Sequence, residues 1–324
     1  MKEHSVMLRE AEKAKNSFSI ASLLVSFGIV LAAFAVAQSA ILMIGAFTDR
    51  AMLEEMRAGD ATAMENVLMK WTSETTGGLL LQLFTTIAEI AAPIVFCLCF
   101  EKRSLASMGF RKEKAVRSYL VGYVAGAALI LLAGGIAVWT DSLTITRVTD
   151  VSYPLVFLFF AGFLVQGMAE EVLVRGFLLV SLTRKVSVVW AVVISSLVFA
   201  ALHLGNPGIT VLTFVNLVLA GVVFGLCFLL TDNIWAAGAM HSAWNFVQGS
   251  IVGVEVSGLK GMECVFVGTL KNNEWINGGS FGLEGGLCVT IVEVLAIAVM
   301  LLLIQRKHKK QLEKAEDGKI IIKH

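Results

Sequence analysis

The sequence has few charged residues and almost no proline. Of its 324 residues only 16% are charged and three are proline, whereas 57% are hydrophobic, and the mean hydropathy is +0.79. Soluble domains carry roughly 25% charged residues, and a globule of this size cannot bury so much apolar side chain. The composition argues against a soluble enzyme, a disordered protein and a nucleic-acid binder. Long uncharged runs indicate helices in a bilayer, because the strands of a membrane barrel would alternate polar and apolar residues.

Cysteine is also scarce and has no metal-binding or disulfide pattern. Four of the five cysteines lie within or at the edge of apolar runs, where a free thiol behaves as a small hydrophobe. Cys97 and Cys99 form a C-x-C inside a hydrophobic segment and are too close together for a metal knuckle. We therefore predict neither a disulfide framework nor a cysteine metal site.

Apolar runs long enough to cross a bilayer recur along the whole chain. A membrane helix needs ~20 mostly apolar residues. We predict an all-α integral membrane protein, a bundle of about eight transmembrane helices. The seventh run is the least hydropathic, because it carries His241, Asn245 and Gln248. The predicted spans are 18–47, 79–100, 116–139, 154–183, 187–204, 209–230, 234–252 and 283–304.

The distribution of basic residues predicts the orientation. If the amino terminus is cytoplasmic, the cytoplasmic segments hold 19 of the 26 Lys and Arg residues, the opposite side holds six, and Arg175 lies within a span. This bias matches the positive-inside rule, so both termini are predicted to be cytoplasmic. An alternative remains for the first span. Ala35–Ala37 resembles a signal-peptide cleavage site, although the apolar sequence resumes at Ser39.

Polar residues inside apolar spans are the main functional signal. A charged side chain near a membrane-helix centre costs ~2.5–3.5 kcal/mol on insertion scales, so it usually has a function or a partner. Three spans carry such residues: Glu170, Glu171 and Arg175 in A-E-E-V-L-V-R-G, Phe199 and His203 in F-A-A-L-H, and His241 and Asn245 in H-S-A-W-N.

Helix geometry separates the roles of the two glutamates. Glu171 and Arg175 are four residues apart with the acid nearer the amino end, which is the favoured arrangement for an ion pair. Glu170 lies ~100° around the helix. We predict that Glu171 is a structural brace and that Glu170 faces a cavity as a general base.

The chain positions predict that these clusters meet. Glu170 and His203 are equally far from the turn at 184–187, so a helical hairpin places both about 20 Å from that turn. His241 and Asn245 share one helix face, with His241 about 12 Å from its own turn. The pair could also serve only to form hydrogen bonds between helices. We interpret Glu89 and Glu293 as structural or displaced in depth.

Together the three motifs closely resemble those of the CPBP family, intramembrane proteases related to CAAX prenyl endopeptidases and bacteriocin self-immunity proteins. The motifs are Glu170-Glu171-x-x-x-Arg175, Phe199-x-x-x-His203 and His241-x-x-x-Asn245. Their order and spacing match, and Gly278–Gly286 also looks like that family. The resemblance divides the chain into amino-terminal helices and loops (1–150), a catalytic core (151–305) and a basic cytoplasmic tail (306–324).

The resemblance implies a buried polar cavity open to the cytosol. In this family Glu170 and His203 would activate water, while His241 and Asn245 would stabilise the oxyanion. Glu171, Arg175 and Phe199 would be supporting residues.

A zinc mechanism remains an alternative. His203, His241 and one oxygen ligand would leave an open coordination position, as catalytic zinc prefers. No H-E-x-x-H motif is present. Activation of water without a metal is the version that we favour.

We therefore predict an intramembrane endopeptidase whose partners are the lipid bilayer and a membrane-associated, possibly CAAX-like, peptide or protein substrate. No nucleic-acid partner is expected. The alternatives are a membrane scaffold or immunity protein without hydrolysis and a proton-coupled transporter that uses the same polar cluster. The chain lacks the repeat symmetry typical of many transporters.

Overall fold

The protein is a bundle of long apolar helices. The structure, a computed structural model, describes residues 5–321 except 17, 49, 51, 52, 55, 56, 58–69, 73 and 272. Among these residues, six helices are long and apolar enough to cross a membrane, which supports the predicted helical integral membrane protein. They are Ile20–Gly45, Thr76–Glu101, Ala115–Trp139, Tyr153–Thr183, Val211–Thr231 and Leu287–Gln311.

Three of the helical runs contain a π-helical segment: Cys97–Glu101, Val172–Leu179 and Val247–Val252. The α-helices described are α1 (Val6–Glu12), α2 (Ile20–Thr48), α3 (Thr76–Thr85), α4 (Ile87–Phe96), α5 (Ala115–Trp139), α6 (Tyr153–Glu171), α7 (Val180–Thr183), α8 (Val188–Leu202), α9 (Val211–Thr231), α10 (Ile234–Phe246), α11 (Glu274–Asn277) and α12 (Leu287–Ile321).

Two of the eight predicted spans differ from the other six. The fifth is α8, an apolar helix of 15 residues, shorter than a full crossing requires. The seventh is α10 continued by the π segment Val247–Val252. Because its polar residues lower its hydropathy, it is not among the six apolar helices. The number of spans beyond six therefore remains a prediction.

A small two-stranded sheet accompanies the predicted helices. Strands β1 (Leu143–Arg147) and β2 (Phe266–Leu270) pair antiparallel, with Leu143 opposite Leu270. Each strand has five residues and its partner lies more than 100 residues away, so no local pattern revealed the pairing. The sheet is a surface feature and the bundle remains helical.

Close contacts between helices hold α10 at the centre of the bundle. A Cβ on Gly122 or Gly126 of α5 would lie 2.1 or 2.0 Å from backbone oxygens of α10, and one on Gly167 of α6 would lie 2.5 Å from the backbone nitrogen of Ser242. Small residues allow membrane helices to approach this closely. These contacts fix the position of His241.

The helix ends lie on two opposite sides of the bundle. One, here called the terminal side, comprises residues 5–16, 101–114, 183–188, 231–234 and 304–311. On it, the backbone nitrogen of Val6 donates to Oδ2 of Asp232 at 2.9 Å. Arg184 donates to the backbone oxygen of Asn16 at 2.9 Å, and Lys307 donates to that of Leu230 at 2.7 Å. These bonds join the start and the end of the described chain to the same set of turns.

The other, here called the loop side, comprises residues 140–152, 203–210, 253–271 and 273–286. Asn206 donates to the backbone oxygen of Ser257 at 3.0 Å, which joins the loop after α8 to the loop after α10. The β1–β2 sheet lies on the same side. The loop side is thus a connected cap over the helix ends that lie opposite the termini.

Parts of the predicted organisation stay untested. Most of the 48–78 loop lies outside the described residues. The last helix, α12, continues from Leu287 to Ile321 without a break at residue 306, where the sequence predicts a tail. The division into 1–150, 151–305 and 306–324 remains a prediction.

Candidate active site

Glu170 lies at the carboxyl end of α6, directly before a π-helical segment. Such segments widen one turn of a helix and are frequent at functional sites. One carboxylate oxygen, Oε1, accepts a hydrogen bond from Gln166 on the preceding turn. The other, Oε2, is buried without a hydrogen-bond partner in the protein. This leaves an acceptor directed at whatever occupies the cavity.

The two motif histidines converge on that free oxygen. Nε2 of His203 lies 4.0 Å from Oε2 of Glu170, and Nε2 of His241 lies 3.9 Å from the same atom. The predicted meeting of α6, α8 and α10 is therefore present. His241 reaches the site, although its position in the sequence predicted that it would lie less deep in the membrane than Glu170 and His203.

A backbone bond sets the hydrogen position on His203. The residue caps the carboxyl end of α8, and its Nδ1 lies 2.9 Å from the backbone oxygen of Phe199. A carbonyl oxygen can only accept, so Nδ1 carries the hydrogen and, in the neutral ring, Nε2 is an acceptor. The acceptor nitrogen therefore faces Glu170.

The predicted ion pair is present and has an additional role. Nη1 of Arg175 lies 2.7 Å from Oε1 of Glu171, and both side chains are completely buried. The same oxygen accepts from Nδ1 of His241 at 3.0 Å. Glu171 therefore orients a site histidine as well as pairing with Arg175.

Aromatic rings hold this cluster. The guanidinium carbon of Arg175 lies 4.7 Å from the centre of the Phe199 ring, which also contacts the rings of both histidines. The imidazole of His241 stacks on Phe224 at 4.6 Å and 13°. Phe199 is therefore placed where a supporting residue would be.

Gln166 is a site residue that the sequence reasoning missed. Its Oε1 accepts from Nδ2 of Asn245 at 2.9 Å, and its Nε2 donates to Glu170. It thereby links two of the predicted catalytic residues. The sequence feature that could have identified Gln166 is its position: it is a polar residue four positions before Glu170 on the same helix.

The cluster lies against a cavity of about 390 Å³. Glu170, His203, His241 and Asn245 contribute to its lining together with residues of α2, α3 and α4. Glu89, interpreted from the sequence as structural or displaced in depth, also lines it. A buried polar cavity was predicted, and the cavity is of the size that binds small ligands or peptide segments.

A second cavity lies behind the histidines. It has a volume of about 20 Å³ and is lined by His203, His241 and Asn245 together with Glu284 and Glu293. This is room for about one water molecule. Oε2 of Glu284, in the loop before α12, accepts from the backbone nitrogen and the hydroxyl of Ser257, at 2.7 and 3.0 Å. Burial raises the pKa of the Glu284 carboxyl above its ordinary value, and these two bonds partly offset the rise.

The zinc alternative for His203 and His241 stays a prediction. Among the residues that the structure describes, no group of three or more His, Cys, Asp or Glu side chains could hold a metal ion. We therefore derive no step through a metal.

A carboxylate, two histidines and an asparagine from three helical runs of the bundle thus line one cavity. Residues 152–247 match a family described as type II CAAX prenyl endopeptidase Rce1-like. This match confirms the family resemblance predicted from the three motifs, and the matched segment contains all of them. The matched family is one of intramembrane proteases. No curated protein matches the chain.

Proposed function

We propose that the protein is an intramembrane endopeptidase that hydrolyses a peptide bond of a membrane-associated substrate, with water activated by Glu170 and His203. The observation that carries the proposal is the approach of both histidine Nε2 atoms to the unpartnered Oε2 of Glu170, at 4.0 and 3.9 Å. The cavity beside these atoms provides space for the substrate.

The gap between Glu170 and His203 suits one water molecule. A water bonded to both groups lies about 2.8 Å from each, which is compatible with the 4.0 Å between Oε2 and Nε2. Both atoms are acceptors, so each takes one water hydrogen and a lone pair of the oxygen is left for attack. Glu170 takes the proton as the oxygen bonds to the substrate carbonyl carbon.

Neighbouring side chains offer donors for the developing oxyanion. One N–H of the Asn245 amide is donated to Gln166, which leaves the second available. His241, when protonated, donates from Nε2, because its Nδ1 is held by Glu171. Fixed donors of this kind stabilise the tetrahedral intermediate in a site from which bulk water is excluded.

Collapse of the intermediate completes the reaction. The bond between the carbonyl carbon and the amide nitrogen breaks, and the proton held by Glu170 passes to the leaving amine. The products are a carboxylate and an amine, and no oxidant, reductant or further reactant is needed. The family match at residues 152–247 supports a CAAX-like substrate, cut near a lipidated carboxyl terminus.

Two matched substitutions test the proposal. Glu170→Gln should lower kcat on a membrane peptide by about 10²–10⁴-fold, because the amide cannot accept the proton. Glu89→Gln removes a carboxylate from the same cavity and should leave kcat within a few fold. Detergent-solubilised variants should elute as the wild type does. Unchanged cleavage by Glu170→Gln would refute Glu170 as the base, and absence of cleavage by the wild type would favour a scaffold or transporter.

A further inference from the structure

Two buried carboxyl groups beside the site histidines take no part in the proposed chemistry. Glu284 and Glu293 line the second cavity, of about 20 Å³, together with His203, His241 and Asn245. Neither glutamate is among the described residues that line the larger cavity, of about 390 Å³. The second cavity has room for about one water molecule. A molecule held there would contact the site residues from outside the space that the substrate occupies.

Of the two carboxyl groups, Glu293 is the one with an acceptor to spare. Oε2 of Glu284 already accepts from the backbone nitrogen and the hydroxyl of Ser257, at 2.7 and 3.0 Å. Glu293, in α12, is 2% exposed, and its Oε2 finds no hydrogen-bond donor among the described residues. An ionisable group inside a membrane helix is costly and usually has a partner or a function. A donor in the second cavity would supply that partner.

A chain of hydrogen bonds fixes which way the Asn245 amide faces. The carboxylate of Glu170 can only accept, so Nε2 of Gln166 is its donor and Oε1 of Gln166 is left as an acceptor. Asn245 therefore presents Nδ2 to Gln166, at 2.9 Å, and Oδ1 is the other branch of its amide. That Oδ1 is buried and, within the described part of the chain, accepts from no donor.

The second cavity brings these two acceptors together. Asn245 and Glu293 both line it, and two acceptors cannot bond to each other directly. Gln166 lines the larger cavity and is not among the described residues around the second, so the Oδ1 branch of Asn245 is the one left for the second cavity. One water molecule can donate a hydrogen to each acceptor. Buried waters typically join unsatisfied groups in this way.

We propose that Glu293 is a positioning residue for oxyanion stabilisation, holding in the second cavity a water molecule that donates to Oδ1 of Asn245. This rests on the proposed endopeptidase function. Donation to the amide oxygen keeps Nδ2 directed at the larger cavity, and it polarises the N–H bonds because linked hydrogen bonds strengthen one another. The amide is thereby a better donor to the tetrahedral intermediate. Glu293 itself does not contact the substrate.

Two substitutions at Glu293 separate this role from packing. Glu293→Leu removes the acceptor that holds the water and should lower kcat by about tenfold, less than the about 10²–10³-fold expected when an oxyanion donor is removed outright. KM should stay within a few fold, because the water acts on the intermediate. Glu293→Gln keeps a carbonyl acceptor and should restore kcat to within a few fold of the wild type. Equal losses of kcat in the two variants would overturn the proposal.

A neighbouring residue of α12 provides the packing control. Val289 lies one turn before Glu293, is completely buried, and is not among the described residues that line the second cavity. Val289→Ala should therefore lower the unfolding midpoint in detergent while leaving kcat unchanged. A loss of kcat in Val289→Ala as large as that in Glu293→Leu would show that packing of α12 explains both, and would overturn the proposal.

A double substitution tests whether Glu293 acts through Asn245. In the Asn245→Ala background no amide oxygen remains to accept from the water, so adding Glu293→Leu should change kcat no further. Fully additive losses would overturn the proposal.

A high-resolution structure gives a readout besides activity. The wild type should show a water bonded to Oδ1 of Asn245 and to Glu293, and Glu293→Leu should lack it. A wild-type cavity without that water would overturn the proposal. Absence of cleavage by the wild type would refute the endopeptidase together with this role, whereas an active wild type and full kcat in Glu293→Leu would overturn this inference alone.

Discussion

Nδ1 of His241 lies 3.0 Å from Oε1 of Glu171, the same oxygen that accepts from Arg175 at 2.7 Å. The second glutamate of the pair therefore connects the buried ion pair to the site. An ionised carboxylate accepts only, so this contact leaves Nε2 of His241 facing Glu170. The proposed catalytic geometry and the internal stability of the bundle thus involve the same side chain.

Removing one partner of this ion pair should be severely destabilising. Arg175→Met leaves the Glu171 carboxylate buried without its cation, and the loss of one member of a buried pair costs about 3–5 kcal/mol. Glu171→Gln/Arg175→Met should be more stable than Arg175→Met alone, because no uncompensated charge remains. Thermal unfolding in detergent measures both. Strictly additive effects of the two substitutions would contradict the coupling.

Asn245→Ala should slow catalysis without weakening substrate binding. Loss of one oxyanion donor typically lowers kcat by about 10²–10³-fold, and KM should stay within a few fold because the donor acts mainly on the intermediate. Asn206→Ala is the matched control, since Asn206 lines the same cavity but donates to the backbone of Ser257. Equal losses of kcat in both variants would argue against an oxyanion role.

Two glycines of α5 should respond oppositely to alanine. A Cβ on Gly126 would lie 2.0 Å from the backbone oxygen of Met240, whereas one on Gly135 meets nothing within 4 Å. Gly126→Ala should destabilise by about 1–3 kcal/mol through overpacking. Gly135→Ala should be neutral or stabilising by up to about 1 kcal/mol, from helix propensity. Unfolding midpoints in detergent distinguish them, and similar midpoints would show that α5 and α10 are not in close contact.

Chelation should leave the activity intact. The proposed chemistry uses Glu170, His203 and water, so cleavage after exhaustive treatment with a zinc chelator should match the untreated rate. Elemental analysis of the same sample reports any retained metal. Activity that disappears on chelation and returns with zinc would favour the metal alternative for His203 and His241.

Sequence reasoning identified most of the candidate site residues but fewer of the contacts between them. The ion pair between Glu171 and Arg175 follows from helix periodicity alone, because both residues lie on one helix. The meeting of Glu170 with His203 follows from equal hairpin arms. Gln166 and Glu89 needed coordinates, since their roles depend on which face of each helix turns towards the cavity. Glu284 needed them because the loop before α12 brings it to the second cavity.

The sequence by itself determined that the protein lies in a membrane, which polar residues interrupt its apolar spans, and how basic residues divide between the two sides. Composition and spacing are local properties, so a linear reading captures them. Only the tertiary structure decided that His241 shares Glu171 with Arg175 and that a five-residue strand pairs with one more than 100 residues away. These depend on the rotation and depth of one helix against another, which are set by packing contacts such as those of Gly126 and Gly167.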